Sequence, residues 1–126
     1  MAMETQQIPK EQFLQKAGEF KQAGWQFTLL SGIDRGDKFQ AVYHFNKLNA
    51  PELLQVTVDI AKDKPAAPSL VSLYPLADWM ERETYDLFGI VFEGHPNLKR
   101  LFLPDDFDGY PLRKDFVAYK RILPGG

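Results

Sequence analysis

The spacing of hydrophobic residues changes period twice along this chain. Phe13, Leu14, Ala17 and Phe20 recur at three- and four-residue intervals, which predicts a helix from Ile8 to Ala23. Gly24 stands where a helix ends on a left-handed residue. Pro9 falls in the first turn, where an amide donor is not needed. From Trp25 the period drops to two. Trp25, Phe27 and Leu29 alternate with Gln26 and Thr28; Phe39, Ala41, Tyr43 and Phe45 alternate with Gln40, Val42, His44 and Asn46; Leu54, Val56, Val58 and Ile60 alternate with Gln55, Thr57 and Asp59. Such alternation predicts antiparallel strands with one buried and one wetter face. Turn residues from Ser31-Gly32 to Gly36-Asp37, and at Asn49-Ala50-Pro51, mark the connections. A fourth strand is predicted from Leu70 to Tyr74, and a second helix from Pro75 to Phe88, closed by Gly89. Ile90 to Phe92 then extends briefly. Beyond Glu93 periodicity fades, and Pro96, Pro104, Pro111 and Pro124 interrupt any regular element.

The pattern predicts an α+β fold: an N-terminal helix, an antiparallel meander of about four strands, a second helix packed on the sheet, and an extended irregular C-terminal strap. Residues 1–96 form the expected globular domain and residues 97–126 the strap. So long a segment without periodicity is uncommon in a compact domain unless it has a function. Phe102, Phe107, Tyr110, Phe116, Tyr119 and Ile122 crowd this strap, and aromatics with arginines suit an interface, so it reads as a partner-binding arm.

On a helical wheel, Leu76, Trp79, Met80 and Leu87 form one stripe with Glu83 in its middle. Arg82 and Asp86 flank the stripe and Tyr85 lies opposite. A carboxylate on a buried face needs a partner, and Arg100, Arg113 and Lys114 are the candidates. The expectation is an arginine contact to Glu83 that pins the strap to the helix. Glu81 and Asp86 point to different sides, so they do not converge as metal ligands would; they read as surface charges.

Composition narrows the function. The chain has 126 residues, enough for one core, with 15 basic and 17 acidic residues and a formal net charge of -2. No basic field for nucleic acid arises from this balance. There is no cysteine, hence no thiolate to hold an iron–sulfur cluster or a cysteine zinc site. Met1 to Lys10 is polar and unlike a signal peptide, and no apolar run approaches a membrane span, so any membrane link is expected through partners. His44 and His95 are isolated. Asp105-Asp106 with Asp108-Gly109 lacks the closing glutamate of a calcium loop, and no glycine-rich phosphate loop follows a strand. No catalytic, cofactor or metal site is expected in this chain. An independent enzyme built on His95 and the acidic helix is the weaker competing reading.

Glu81-Arg82-Glu83-Thr84-Tyr85-Asp86-Leu87-Phe88-Gly89-Ile90, Phe92-Glu93-Gly94-His95-Pro96, Leu103-Pro104-Asp105-Asp106 and Pro111-Leu112-Arg113-Lys114-Asp115 follow one another in an order that resembles the signature of the respiratory-chain NADH dehydrogenase 30 kDa subunit family of complex I. Phe107 and Tyr110 depart from the tryptophan and histidine of that pattern. The resemblance implies a non-catalytic subunit of the peripheral arm of a proton-translocating NADH:quinone oxidoreductase, at the cytoplasmic face of the cell membrane. Its implied partners are the large subunit of the quinone site and neighbouring iron–sulfur subunits, with the signature residues at the interface. The complex would use NAD or ferredoxin, FMN, iron–sulfur clusters and quinone, none of them bound by this chain. The resemblance also implies that the quinone-site large subunit is similar to the [NiFe]-hydrogenase large subunit, and the same family occurs in membrane-bound energy-converting [NiFe] hydrogenases, whose large subunit holds the NiFe centre. A free-standing interaction adaptor is a further alternative.

Overall fold

In the computed structural model, which describes residues 3–114, the two predicted helices and the alternating strands are all present. Strand β1 (Met3–Gln7) leads into helix α1 (Lys10–Gln22), then strands β2 (Trp25–Asp34), β3 (Phe39–Lys47), β4 (Leu53–Ile60) and β5 (Ala66–Pro68). Helix α2 (Ala77–Phe88) and strand β6 (Val91–Glu93) follow. Pro9 is the N-cap of α1 and Gly24, at φ +93°, lies just past its end.

The main sheet is mixed, with order β1-β4-β3-β2. Strands β2, β3 and β4 form the predicted antiparallel meander, but its fourth member is β1, paired parallel to β4. β1 lies along the open edge with its side chains mostly exposed, so it carries no hydrophobic alternation to announce it. The segment Leu70 to Tyr74 is a turn and not a strand. The amides of Leu73 and Tyr74 both donate to the Leu70 carbonyl, at 3.0 and 2.8 Å. Leu70 and Tyr74 are apolar because they plug the core from this turn. The short β5 upstream pairs parallel with β6 in a separate two-stranded sheet.

β2 also runs further than its alternation predicts, through Ser31 and Gly32 to Asp34. A register shift between Phe27 and Leu29 puts Leu30 into the core and turns Leu29 out to 41% exposure. A bulge of this kind inverts the facing of every later side chain.

One sheet face carries the core. Phe39, Ala41, Tyr43, Phe45, Leu54, Val56, Val58 and Ile60 are buried there beneath α1, through Phe13 and Ala17, and α2, through Ala77 and Phe88. Each fully buried large side chain contributes roughly 1.5–3 kcal/mol. The opposite face holds directly opposed polar pairs, Gln40 with Asp59 and His44 with Gln55, each hydrogen-bonded at 2.9 Å.

Candidate functional site: helix α2 and the strap it carries

Ala77, Glu81, Thr84 and Phe88, spaced by three or four residues, form the sheet-facing stripe of α2. Small side chains at Ala77 and Thr84 let the helix settle close. Phe88 lies over Gly32, where an added Cβ would come within 2.7 Å of the Phe88 ring. This corrects the wheel drawn from Leu76, Trp79, Met80 and Leu87. Leu76 and Trp79 are more than half exposed, Met80 and Leu87 are half-buried, and so is Glu83. The two fully buried carboxylates are Glu81 and Asp86, which are not surface charges at all.

Glu81 accepts hydrogen bonds from Ser69 Oγ at 2.6 Å and from the Leu70 amide at 2.7 Å. Burial pushes its carboxyl above the ordinary glutamate range, and these two donors and nearby His95 offset that only in part. The buried His95 ring ties the loop after β6 to the start of α2. Its Nε2 lies 2.9 Å from Asp78 Oδ1 and 3.3 Å from the Asp78 carbonyl, while its Nδ1 accepts from the Asn97 amide at 2.9 Å. The Asn97 contact makes Nδ1 the acceptor and assigns the ring proton to Nε2.

Asp86 faces the strap. Its Oδ1 accepts from Arg100 Nε at 2.7 Å, and its Oδ2 accepts from three successive amides, Leu101, Phe102 and Leu103, at 3.2, 2.7 and 3.2 Å. Consecutive amides aimed at one oxygen form an anion-binding nest. Burial alone would raise the Asp86 carboxyl, but the nest and Arg100 outweigh it and hold it below the usual aspartate value of 3.8. The strap arginine therefore binds Asp86 and not Glu83, which has no hydrogen bond or ion pair among the described residues.

Arg100 also gathers the strap around itself. Its terminal nitrogens donate to the carbonyls of Asp86, Phe107 and Gly109 at 2.7–2.8 Å. Two guanidinium groups, of Arg100 and Arg113, each lie 4.7 Å from the centre of the Tyr110 ring. Arg113 reaches across to the core: Nε donates to the Phe88 carbonyl at 2.7 Å and its guanidinium lies 5.1 Å over Phe39. The Leu112 amide donates to the Leu87 carbonyl, and the Lys114 amide to Asp34 Oδ2 at 2.8 Å. Asp34 is buried at the end of β2. Burial opposes its charge, but Lys62, at 2.7 Å, with the Lys114 and Gly36 amides, lowers its pKa to about 2. Gly89 is required where these contacts converge. It ends α2 at φ +79°, and an added Cβ would come within 2.7 Å of Arg113 Nη2 and 2.8 Å of the Tyr110 ring.

The signature residues thus separate into two sets. Glu81, Asp86, Phe88, Gly89, His95 and Arg113 are used inside the chain. Arg82 and Tyr85 are half-buried, with Arg82 Nε enclosed and without a hydrogen bond among the described residues. Pro96, Pro104, Asp105 and Asp106 are exposed, Pro111 is half-buried, and Leu112 and the Lys114 side chain face outward. Asp115 lies outside the described residues, as do Phe116, Tyr119 and Ile122. Sequence reasoning missed Asp34, Ser69 and Asp78, three polar residues without any local motif. Among the described residues no group of three His, Asp or Glu side chains is placed to hold a metal ion, and no helix is long and apolar enough to cross a membrane.

Fold and site together define an α+β module in which a set of buried polar contacts fastens an irregular strap across one helix. The chain belongs to the respiratory-chain NADH dehydrogenase, 30 Kd subunit family, whose model matches residues 6–121. It is 51% identical over 89 residues to the C-type subunit of the NADH-quinone oxidoreductase of Chloroherpeton thalassium and 47% identical over 93 residues to that of Streptomyces coelicolor. These alignments cover 69% and 71% of this chain but 37% of each relative, so the match spans well under half the length of those curated proteins. Among solved structures, a trypsin-resistant fragment of Nqo5 shares 32% identity at a TM-score of 0.67, covering 73% of this chain and 80% of that one. A chain of the membrane-bound sulfane sulfur reductase, an archaeal respiratory membrane complex, shares the fold at a TM-score of 0.83 and 23% identity, over 94% of this chain and 78% of that one.

Proposed function

We propose that this chain is a non-catalytic peripheral-arm subunit of a proton-translocating NADH:quinone oxidoreductase. In this reading it binds and stabilises the large subunit of the quinone site. The carrying observation is the way the strap is mounted. Its inner side is fastened by Asp86, the Phe88 carbonyl and Asp34, while Trp79 and Phe102 meet edge to face at 6.0 Å and stay 52% and 58% exposed. A half-exposed aromatic pair on a backbone fastened by hydrogen bonds has the make-up of an interface hot spot. The redox groups, FMN, iron–sulfur clusters and quinone, belong in this reading to the partner subunits. The chain meets the cytoplasmic face of the membrane only through them.

The experiment is affinity purification of the full chain from native membranes, with mass spectrometry of what accompanies it. A quinone-site large subunit and iron–sulfur subunits are expected. Combining Trp79→Ala with Phe102→Ala should cut recovered complex about tenfold or more, while changing the stability of the isolated chain by no more than about 1 kcal/mol, as surface substitutions do. Recovery without any redox subunit refutes the reading. A large subunit with nickel-binding cysteines would transfer the chain to the hydrogenase branch of the family.

A further inference from the structure

Beside the strap, α2 and the outermost strand enclose a second surface that the contacts described so far leave open. A groove of about 250 Å³ runs between Leu29, Ser31 and Gly32 of β2 and Glu83, Leu87 and Phe88 of α2, with Leu112 of the strap at its mouth. Among the described residues, strand β2 is the edge of the main sheet and pairs with β3 alone. The register shift after Phe27 turns Leu29 outward, and the hydrogen bond from the Leu112 amide to the Leu87 carbonyl sets Leu112, 52% exposed, above the same opening. The groove is thus apolar at Leu29, Leu87 and Leu112. Its lining holds a single charge, the half-buried carboxylate of Glu83, with no cation among the lining residues and no ion pair to it among the described residues. A half-buried, uncompensated carboxylate beside an unpaired strand edge is complementary to a basic, extended chain.

We infer that this groove receives an extended segment of a partner subunit, laid along the free edge of β2, with one apolar side chain between the leucines and an arginine or lysine paired with Glu83. This inference rests on the functional reading above for the existence of a partner and adds where it enters and what chemistry it carries. The spacing specifies the pattern. Glu83 and Leu87 are one helical turn apart, a rise of about 6 Å. Side chains two residues apart on one face of a strand are separated by about 6.6 Å. The segment therefore carries its apolar and basic residues at alternate positions, apolar-x-Arg or apolar-x-Lys in either direction. Strand addition to a sheet edge draws affinity from backbone hydrogen bonds and specificity from such alternate side chains. Arginine fits better than lysine, because its fork can engage the carboxylate through two bonds.

The test places the photo-crosslinker p-benzoylphenylalanine at Leu29, at Leu112 and, as a control, at Leu48, which is 73% exposed on the turn after β3. The full chain is irradiated in the assembly recovered from membranes and the adducts are sequenced. Adducts are expected from positions 29 and 112 on one segment of one partner subunit, bearing the alternate apolar and basic residues, with none from position 48. Glu83→Arg should lower recovered complex about tenfold, and an acidic residue at the mapped basic position should restore it. Adducts confined to this chain, whether to residues 115–126 or to a second copy, overturn the inference. So does a mapped segment without a cation together with unchanged recovery of Glu83→Arg. Recovery of the chain without any redox subunit refutes the functional reading alone, since the adducts at positions 29 and 112 still report what fills the groove in whatever assembly is isolated.

Discussion

Replacing Asp86 by alanine should cost more stability than any other single polar substitution in the strap region. The carboxylate is fully buried and accepts four hydrogen bonds, two of them at 2.7 Å, from Arg100 Nε and the Phe102 amide. Hydrogen bonds to a charged group contribute roughly 1.5–3 kcal/mol each, and removing one partner of a buried ion pair costs about 3–5 kcal/mol. The strap amides lie near the surface and can be rehydrated, but the Arg100 side chain, 8% exposed, cannot leave without also releasing its bonds to the carbonyls of Phe107 and Gly109. The expected loss for Asp86→Ala is therefore about 3–5 kcal/mol, against a total of roughly 5–15 kcal/mol for a domain of this kind. Asp86→Asn keeps an acceptor oxygen and loses the charge, so its loss should be about half as large. Urea unfolding at neutral pH measures both values, and limited proteolysis reads whether residues 97–114 become accessible first. Because the folded pKa of Asp86 lies below 3.8, its contribution is complete above that value and fades as pH falls through the folded pKa. The difference between wild type and Asp86→Asn should close in acid. A loss below about 1 kcal/mol for Asp86→Ala, with the strap still protected, would show that the nest does not hold the strap.

Gly89→Ala should cost about 2 kcal/mol or more, since a left-handed residue with a Cβ costs about 1–2 kcal/mol and the new methyl would also displace Arg113 and Tyr110; unfolding midpoints and strap proteolysis measure it. Tyr43→Phe should leave stability within about 0.5 kcal/mol or raise it, because the buried hydroxyl has no hydrogen-bond partner among the described residues; a clear loss by urea unfolding would reveal one. Two carboxylates should titrate stability with opposite sign. Asp34, lowered to about 2, supports the fold above pH 3.8 and loses that support as pH falls toward 2, whereas burial raises Glu81, so its contribution is greatest below 4.5 and declines as pH rises through the folded pKa. Unfolding of Asp34→Asn and Glu81→Gln beside wild type across this range should show the two differences sloping in opposite directions.

The parts of the fold that were legible in sequence are those where one face is apolar and regular. Phe39 to Phe45 and Leu54 to Ile60 alternate without interruption because both strands lie in the middle of the sheet under helices. β1 was illegible because an exposed parallel edge strand needs only its backbone. The turn at Leu70 to Tyr74 was misread because a plug into the core and a short buried strand share the same apolar composition. The phase of α2 was misread for a related reason. Its sheet-facing stripe contains a small residue, a carboxylate and a threonine before Phe88, while Trp79 within the helix and Leu76 at its N-cap are exposed. Periodicity ranks residues by hydrophobicity, whereas this helix is positioned by close approach over Gly32 and by hydrogen bonds from Ser69 and Leu70. The expectation of an arginine from the strap was right in kind and wrong in its carboxylate, because Asp86 and Glu83 lie on neighbouring sides of the same helix.

The distribution of these contacts bears on why one helix keeps so many charged residues. Association costs roughly 0.5–1.5 kcal/mol for each long side chain that must be immobilised, besides the ordering of any loose backbone. A strap of arginines, aromatics and prolines that became ordered only on contact would bear that cost in the complex. Here the ordering is done inside the chain, by Asp86 on the amides of residues 101–103, by Arg100 and Arg113 against the Tyr110 ring, and by Asp34 at Lys114. Trp79, Phe102 and Leu112 are then presented in fixed positions. On this view Asp86→Ala, at a carboxylate buried inside this chain, should weaken assembly through slower association with the proposed large-subunit partner, while Trp79→Ala should act on dissociation, and the two effects can be separated by measuring binding kinetics on the same immobilised partner.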